Sequence, residues 1–371
     1  MRILVLGGAG FIGSHLVDAL ISKNHDVTIF DSLDPQVHGD AQRPPTYLNP
    51  KANLVIGDVR DREALKAVMP GHDAAYFLAA AVGVGQSMYE VERYVAVNSL
   101  GSAIFLDLIV NSSHSFQKLI VASSMSIYGE GAYKNETGEL VFPTLRKAAQ
   151  LGSGVWEHLD KNNRPLTPIG TPESKPLYPT SVYAVTKRDH EELFLSVGEG
   201  YGIPTTALRF FNVYGDRQSL SNPYTGVAAI FSSLILNGNA PQIFEDGNQT
   251  RDFIHVSDIV QGLLLALEKD EANGEVFNVG TGTATSIKEI AASLSSSLNF
   301  SKPALITNKF RVGDIRHCYA DISKIKNLLG YSPRVSLDAG MQALCAWVSK
   351  QEAENRVAHS TEELKNRNLL R

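Results

Sequence analysis

Short apolar runs alternate with amphipathic stretches through the first half of the chain. RILVLG (2–7), DVTIFD (26–31), ANLVIGD (52–58), DAAYFLAA (73–80) and KLIVASS (118–124) have the length and apolarity of strands covered on both faces. FIGSHLVDALISKN (11–24) has helical spacing. Strands alternating with helices imply a doubly wound parallel sheet, an α/β fold of the Rossmann type. In that fold the carboxyl ends of the strands share one edge, and ligands bind there.

The rhythm changes after residue 213. TTALRFFNVYG (205–215) supplies one more strand, and the Pro-, Gly- and Asn-rich DRQSLSNPYTG (216–226) leaves the sheet. SDIVQGLLLALEK (257–269) then reads as a helix, and EVFNVGTG (275–282) as a strand and turn that rejoin it. The pattern predicts a large domain from 1–213 plus 251–280. A smaller C-terminal lobe is expected from 214–250 and 281–350. Residues 130–177 form an insertion without sustained period, read equally as a lid or binding element and as a surface insertion. Within it, VWEHLDKNNRPLTPI predicts a hairpin turning at 161–163. Residues 351–371 are polar and helix-prone, with Ser360 and Glu363 at capping-box spacing, and read as a surface helix.

Composition narrows the class. Among 371 residues, 43% are hydrophobic and 20% charged, an ordinary globular balance. A net charge of −5 supplies no basic footprint for nucleic acid or a membrane surface. No apolar run reaches spanning length, and a strand starting at residue 2 leaves no room for a secretory leader. With Cys318 and Cys345 the only cysteines, neither a disulfide framework nor a zinc spacing is present. The expectation is a cytoplasmic protein without a structural metal.

The candidate chemistry lies in three motifs. GGAGFIGSH (7–15) places glycines between the first strand and the first helix, where the backbone can approach a pyrophosphate at a helix N-terminus. Gly7, Gly10, Phe11, Ile12 and Gly13 are the predicted contacts. Asp31 ends the second strand, where a carboxylate accepts from a ribose 2′-hydroxyl and repels a 2′-phosphate, so NAD is favoured over NADP. Asp58 and Val59 are placed to flank the adenine. SSMSIYG (123–129) and YAVTK (183–187) supply the hydroxyl of Ser124, the phenol of Tyr183 and the ammonium of Lys187. Tyr183 and Lys187, four apart on a helix, share a face. A nearby ammonium favours the phenolate, which makes Tyr183 the candidate base for hydride transfer at a secondary alcohol.

From residue 1 to about 350 the chain resembles the extended short-chain dehydrogenases/reductases, in the branch of NAD-dependent nucleotide-sugar epimerases and dehydratases. The resemblance implies bound NAD, a nucleoside diphosphate sugar in the smaller lobe, and catalysis by Ser124, Tyr183 and Lys187. It also implies cofactor contacts at Ala79 and Asn98. Substrate contacts are implied at Ser126, Asn212 in RFFNVYG, Arg251 in TRDFIHVSD, and Arg311 and Asp314 in RVGD, with Cys318 at a gate position. Dehydratases and decarboxylases of the family carry a Glu, or an Asp–Glu pair, after the catalytic Ser or Thr. Met125 and Ser126 stand there instead, which leaves inversion at C4 through a 4-keto sugar. SSMSIYGEGAY, VGVGQSM and LSNPYTGVAAIFSS look most like dTDP-L-rhamnose 4-epimerase-type proteins, although the paired cysteines those relatives often carry in the insertion are missing. UDP-hexoses are the other expected substrates. The alternatives are a keto-sugar reductase or epimerase/reductase using NAD(P)H, and a non-catalytic dinucleotide-binding sensor or scaffold. The resemblance further implies a homodimer through helices near 90–112 and 180–200.

Overall fold

The computed structural model describes residues 1–39, 43–220, 222, 226–311, 313–351, 362–363, 366–367 and 369–370. Seven strands build its central sheet: β1 (Arg2–Leu6), β2 (Asp26–Asp31), β3 (Asn53–Ile56), β4 (Ala74–Phe77), β5 (Lys118–Ser124), β6 (Thr205–Phe210) and β7 (Val276–Val279). Their order is β7-β6-β5-β4-β1-β2-β3, and every pair is parallel. The expected Rossmann-type sheet is what the chain forms. Alternation along β1 explains why the strand reads as continuously apolar. Ile3 and Val5 enter the core on one face, while Leu4 and Leu6 enter the core on the other.

Helix α1 (Phe11–Ser22) covers the first face with Leu16, Val17 and Leu20. The second face is covered by α2 (Val91–Asn111) and α3 (Val182–Tyr201), whose Phe105 and Phe194 rings stack 5.9 Å apart. Leu6 pairs with both Phe30 and Phe77, so the strands end level and deliver Gly7, Asp31 and Leu78 to one edge. Helix α2 runs 21 residues through a π-helical stretch at Val95–Leu100. It is the one helix among the described residues with the length and apolarity of a membrane span. The sequence led to a helix near 90–112 but to no apolar run of spanning length, because Glu92, Arg93 and Asp107 interrupt it. In the structure 44% of its most apolar window is buried within the molecule.

The smaller core joins α4 (Val227–Leu236), α5 (Ile287–Ser297) and α6 (Leu337–Val348). Segment 318–331, grouped with that lobe by sequence, packs instead on the sheet through Cys318, Ala320, Ile325, Leu329 and Tyr331. In the insertion, the turn at 161–163 forms: the Asp160 carboxylate accepts the N–H groups of Asn162 and Arg164, and Leu159 bridges Pro165. The outgoing strand, Thr167–Ile169, pairs with Ala132–Lys134 rather than with the residues before the turn. Ser360, the predicted tail cap, lies outside the described residues. Leu370 is buried and bridges Arg311.

Candidate active site

The glycine turn works by close approach. Gly7 has φ +82°, and a Cβ there would lie 2.6 Å from the Ala79 nitrogen; a Cβ on Gly13 would lie 2.2 Å from the Gly7 carbonyl. Helix α1 starts after Gly10 with no side-chain cap, so its leading N–H groups remain for an anion. Asp31 accepts from Ala9 N at 3.0 Å and Leu33 N at 2.9 Å, one bond per oxygen, which leaves lone pairs for a ribose. The Arg60 hydrogen bond holds the Asp58 carboxyl below the usual carboxylate range. Together with Phe11, Ile12, Val59 and Ala79, these residues line one end of a cleft of about 690 Å³. The closed glycine turn, uncapped helix and free carboxylate lone pairs fit a dinucleotide without a 2′-phosphate.

Ser124, Ser126, Tyr183 and Lys187 line the middle of the same cleft. Ser124 ends β5 and caps the short helical turn Met125–Tyr128 by accepting from Ser126 N at 3.2 Å. The hydroxyls of Ser124 and Ser126 lie 2.9 Å apart. Ser181 caps α3 by accepting from Ala184 N at 3.1 Å, which sets the first turn carrying Tyr183. Burial pushes the Tyr183 phenol above its ordinary value, and a hydrogen bond with Ser124 opposes the shift. Burial also pulls the Lys187 ammonium down to about 7, against the nearby Glu191. Here the structure corrects the sequence argument: in the protein alone, desolvation disfavours both the phenolate and the ammonium. The Lys187 amine bonds His190 Nδ1 at 3.1 Å.

Asn212, Arg251, Arg311 and Asp314 line the far end. The Asn212 side-chain oxygen is buried without a partner, an opening for a ligand. Arg311 lies 4.4 Å over the Phe244 ring with its residue exposed. Arg251 donates to the carbonyls of Thr250, Ile315 and Arg316 and, at 3.2 Å, to Asp314.

Two predicted residues do not reach the cleft. Asn98 is fully buried; its amide brackets both backbone groups of Ala81 and donates to Thr186, so it fixes the 81 turn and does not line the cleft. Cys318 is buried with its thiol 3.7 Å from the Thr171 hydroxyl, packs in the sheet core and does not line the cleft. Sequence reasoning also missed residues that matter here. Ser123 lines the cleft with an unpartnered hydroxyl, and its position beside Ser124 was the available signal. His190 sits three positions after Lys187, a helical neighbour spacing. Leu369 of the tail lines the cleft, contrary to the reading of the tail as a surface helix alone.

The insertion braces the substrate end from behind. Glu130 accepts from the backbone N–H groups of Arg316 and His317 at 2.8 and 2.7 Å, and His158 lies 2.9 Å from it. Arg316, 1% exposed along its side chain, pairs with Glu157, Glu245 and Asp246. His317 meets Glu157 at 3.0 Å, and Arg146 meets Glu245 at 2.8 Å.

Residues 3–280 match the NAD dependent epimerase/dehydratase family, and the chain belongs to it. It is 35% identical over 352 residues to the dTDP-L-rhamnose 4-epimerase of Burkholderia thailandensis, covering 94% of this chain and 95% of that one. The UDP-glucose 4-epimerase of Thermotoga maritima, solved with UDP-glucose, superposes with a TM-score of 0.77 at 30% identity, covering 94% and 99% of the two chains. The UDP-glucuronic acid 4-epimerase of Bacillus cereus, solved with UDP-glucuronic acid and NAD, gives 0.74 at 29% identity, with coverage of 94% and 99%.

Proposed function

We propose that this protein is an NAD-dependent 4-epimerase of nucleoside diphosphate sugars. The observation that carries the reading is the single cleft that joins the Gly7–Asp31 cofactor end, the Ser124–Tyr183–Lys187 centre and the Asn212–Arg251–Arg311 end. Bound NAD would supply reversible hydride acceptance at C4 of the sugar. Tyr183 takes the 4-hydroxyl proton and later returns it, while Ser124 holds the reacting oxygen by hydrogen bonding. Arg311, whose planar guanidinium can meet two phosphate oxygens at once, grips the diphosphate as the 4-keto sugar turns over. Arg251 spends donors on three carbonyls, so its share is chiefly to hold the 314–316 backbone in place. Met125 and Ser126 offer no carboxyl beside Ser124 to expel water, which supports epimerisation over dehydration. Proton NMR of the protein with dTDP-L-rhamnose, UDP-glucose, UDP-glucuronate or UDP-N-acetylglucosamine, with catalytic NAD and no reductant, tests this. The expected result is a 4-epimer growing to equilibrium in one sample; unchanged spectra in all four would remove the assignment for these sugars.

The likeness to dTDP-L-rhamnose 4-epimerase favours a deoxythymidine-linked 6-deoxyhexose among those candidates. A cytoplasmic location is proposed from the two buried free cysteines, which suit a reducing compartment. We also propose a homodimer. Exposed Val91, Val95 and Leu100 on α2 and Val185 and Leu193 on α3 line up apolar side chains that a second copy would cover. This accounts for the apolarity of α2 without a bilayer, and neither nucleic acid nor membrane is proposed as a partner. Sedimentation of the intact protein is expected at twice 40.3 kDa, and a Val95→Asp, Val185→Asp double variant at the monomer mass. An intact protein sedimenting as a monomer would reject the dimer.

A further inference from the structure

The buried end of Lys187 meets a histidine. His190 Nδ1 lies 3.1 Å from the Lys187 nitrogen, and His190 Nε2 lies 2.8 Å from the backbone carbonyl of Asn98 on α2. A carbonyl can only accept, so Nε2 carries the proton and Nδ1 presents a lone pair to Lys187. The ring is fully buried, edge-on to Phe77 at 5.4 Å. Asn98 cannot drift, because its side chain is tied to Ala81 and Thr186. A histidine present only to fill space would need neither nitrogen bonded on these two sides.

We propose that His190 is the positioning residue for Lys187, its neutral Nδ1 accepting a hydrogen bond from the amine while its Nε2–H anchors the pair to Asn98. The inference rests on the epimerase reading for its purpose, though not for its geometry. A buried amine keeps its charge only where an acceptor stabilises it. Glu191, the one carboxylate acting on Lys187, already holds the Arg209 guanidinium at 2.9 Å. Among the described residues, His190 Nδ1 is the acceptor that lies within hydrogen-bond distance of the amine. Burial and Lys187 push His190 well below the ordinary histidine value, against the carbonyls of Asn98 and Ala122, so the ring stays neutral at working pH.

The remaining titratable groups around this pair are few. Tyr183 lies on the same helix, and Tyr94 of α2 meets Tyr183 edge-on at 6.4 Å. Arg209 on β6 joins Glu191 to Tyr128, while Arg251, Arg311 and Asp314 face the same cleft. Weakening the His190 bond lowers the charge on Lys187. Less positive charge beside Tyr183 raises the pH at which its phenol ionises.

The test is ultraviolet titration of the Tyr183 phenolate in NAD-containing protein, taken as the difference from a Tyr183→Phe variant and needing no turnover. His190→Asn keeps an acceptor close to the Nδ1 position, whereas His190→Gln places its amide near Nε2. We expect His190→Gln to raise the Tyr183 ionisation by about one pH unit and His190→Asn to leave it near the parent. The ascending limb of kcat against pH should move upward by the same amount, with turnover at pH 7 down about tenfold, recovered at higher pH, and KM unchanged. A Gln variant that titrates like the parent, or Asn and Gln variants that shift alike, overturns the proposal. If the titration shifts as expected while no nucleotide sugar is epimerised, the positioning role stands and the functional reading is what fails.

Discussion

Replacing Tyr183 with Phe should lower epimerisation by about 10²–10⁴-fold, the range over which a positioned acid–base group contributes. The substitution removes one oxygen and keeps the ring that packs edge-on to Tyr94. Secondary structure, melting temperature and bound NAD should therefore match the parent. A loss of turnover accompanied by a loss of NAD would mean that the phenol acts through the cofactor site. Full turnover in the variant would sink the mechanism outright, because the other polar groups at the centre are the hydroxyls of Ser123, Ser124 and Ser126 and the amine of Lys187. Ser124 is a far weaker base than a phenolate, and Lys187 is committed to His190.

The second large effect concerns stability. Arg316→Met should destabilise the protein by about 3–5 kcal/mol, as expected when one partner of a buried ion-pair network is removed and the others keep their charges. Glu245 is buried and retains only Arg146, while Asp246 and Glu157 lose their guanidinium partner. Urea unfolding at pH 7 measures the change; a loss under about 0.5 kcal/mol would place Arg316 among exposed pairs of little consequence. The pH dependence carries a second signature. Burial opposes ionisation of Glu157 and Asp246, yet His317 and Arg316 hold Glu157 at about 2, and Arg316 and Asn248 hold Asp246 at about 2. Both values are depressed, so their contribution is present above the unfolded carboxylate range and is lost as pH falls toward about 2. The variant should lose stability less steeply than the parent over that interval.

What was legible in the chain was local. Gly7 and Gly13 act within one strand–turn–helix unit, and Asp31 ends the strand that follows it, at the offset a βαβ unit sets. Tyr183 and Lys187 are one helical turn apart, and the polar turn at 161–163 closes on the Asp160 carboxylate just before it. What was illegible depends on contacts between distant residues. The partner of strand Thr167–Ile169 is Ala132–Lys134, and no periodicity could select it over the residues just upstream. Asn98 carries the right residue type at the right motif position, yet its amide is consumed by Ala81 and Thr186. Cys318 faces Thr171 because strand His317–Cys318 pairs with Thr250–Arg251, which sets its orientation from far along the chain. The purpose of the insertion was undecidable for the same reason: Glu130, Arg146 and Glu157 find partners near residues 245 and 316.

That brace limits how a sugar nucleotide can arrive. Many two-lobed enzymes admit ligand by swinging one lobe about a hinge. Here the loop that carries Asp314 and precedes Cys318 is clamped by Glu130, Glu157 and Arg316, and Arg251 staples it to its neighbouring strand. A swing at that edge would have to break several buried charged contacts together. The Asp314–Ile315 edge of the cleft is therefore expected to hold its shape as a sugar nucleotide enters and leaves.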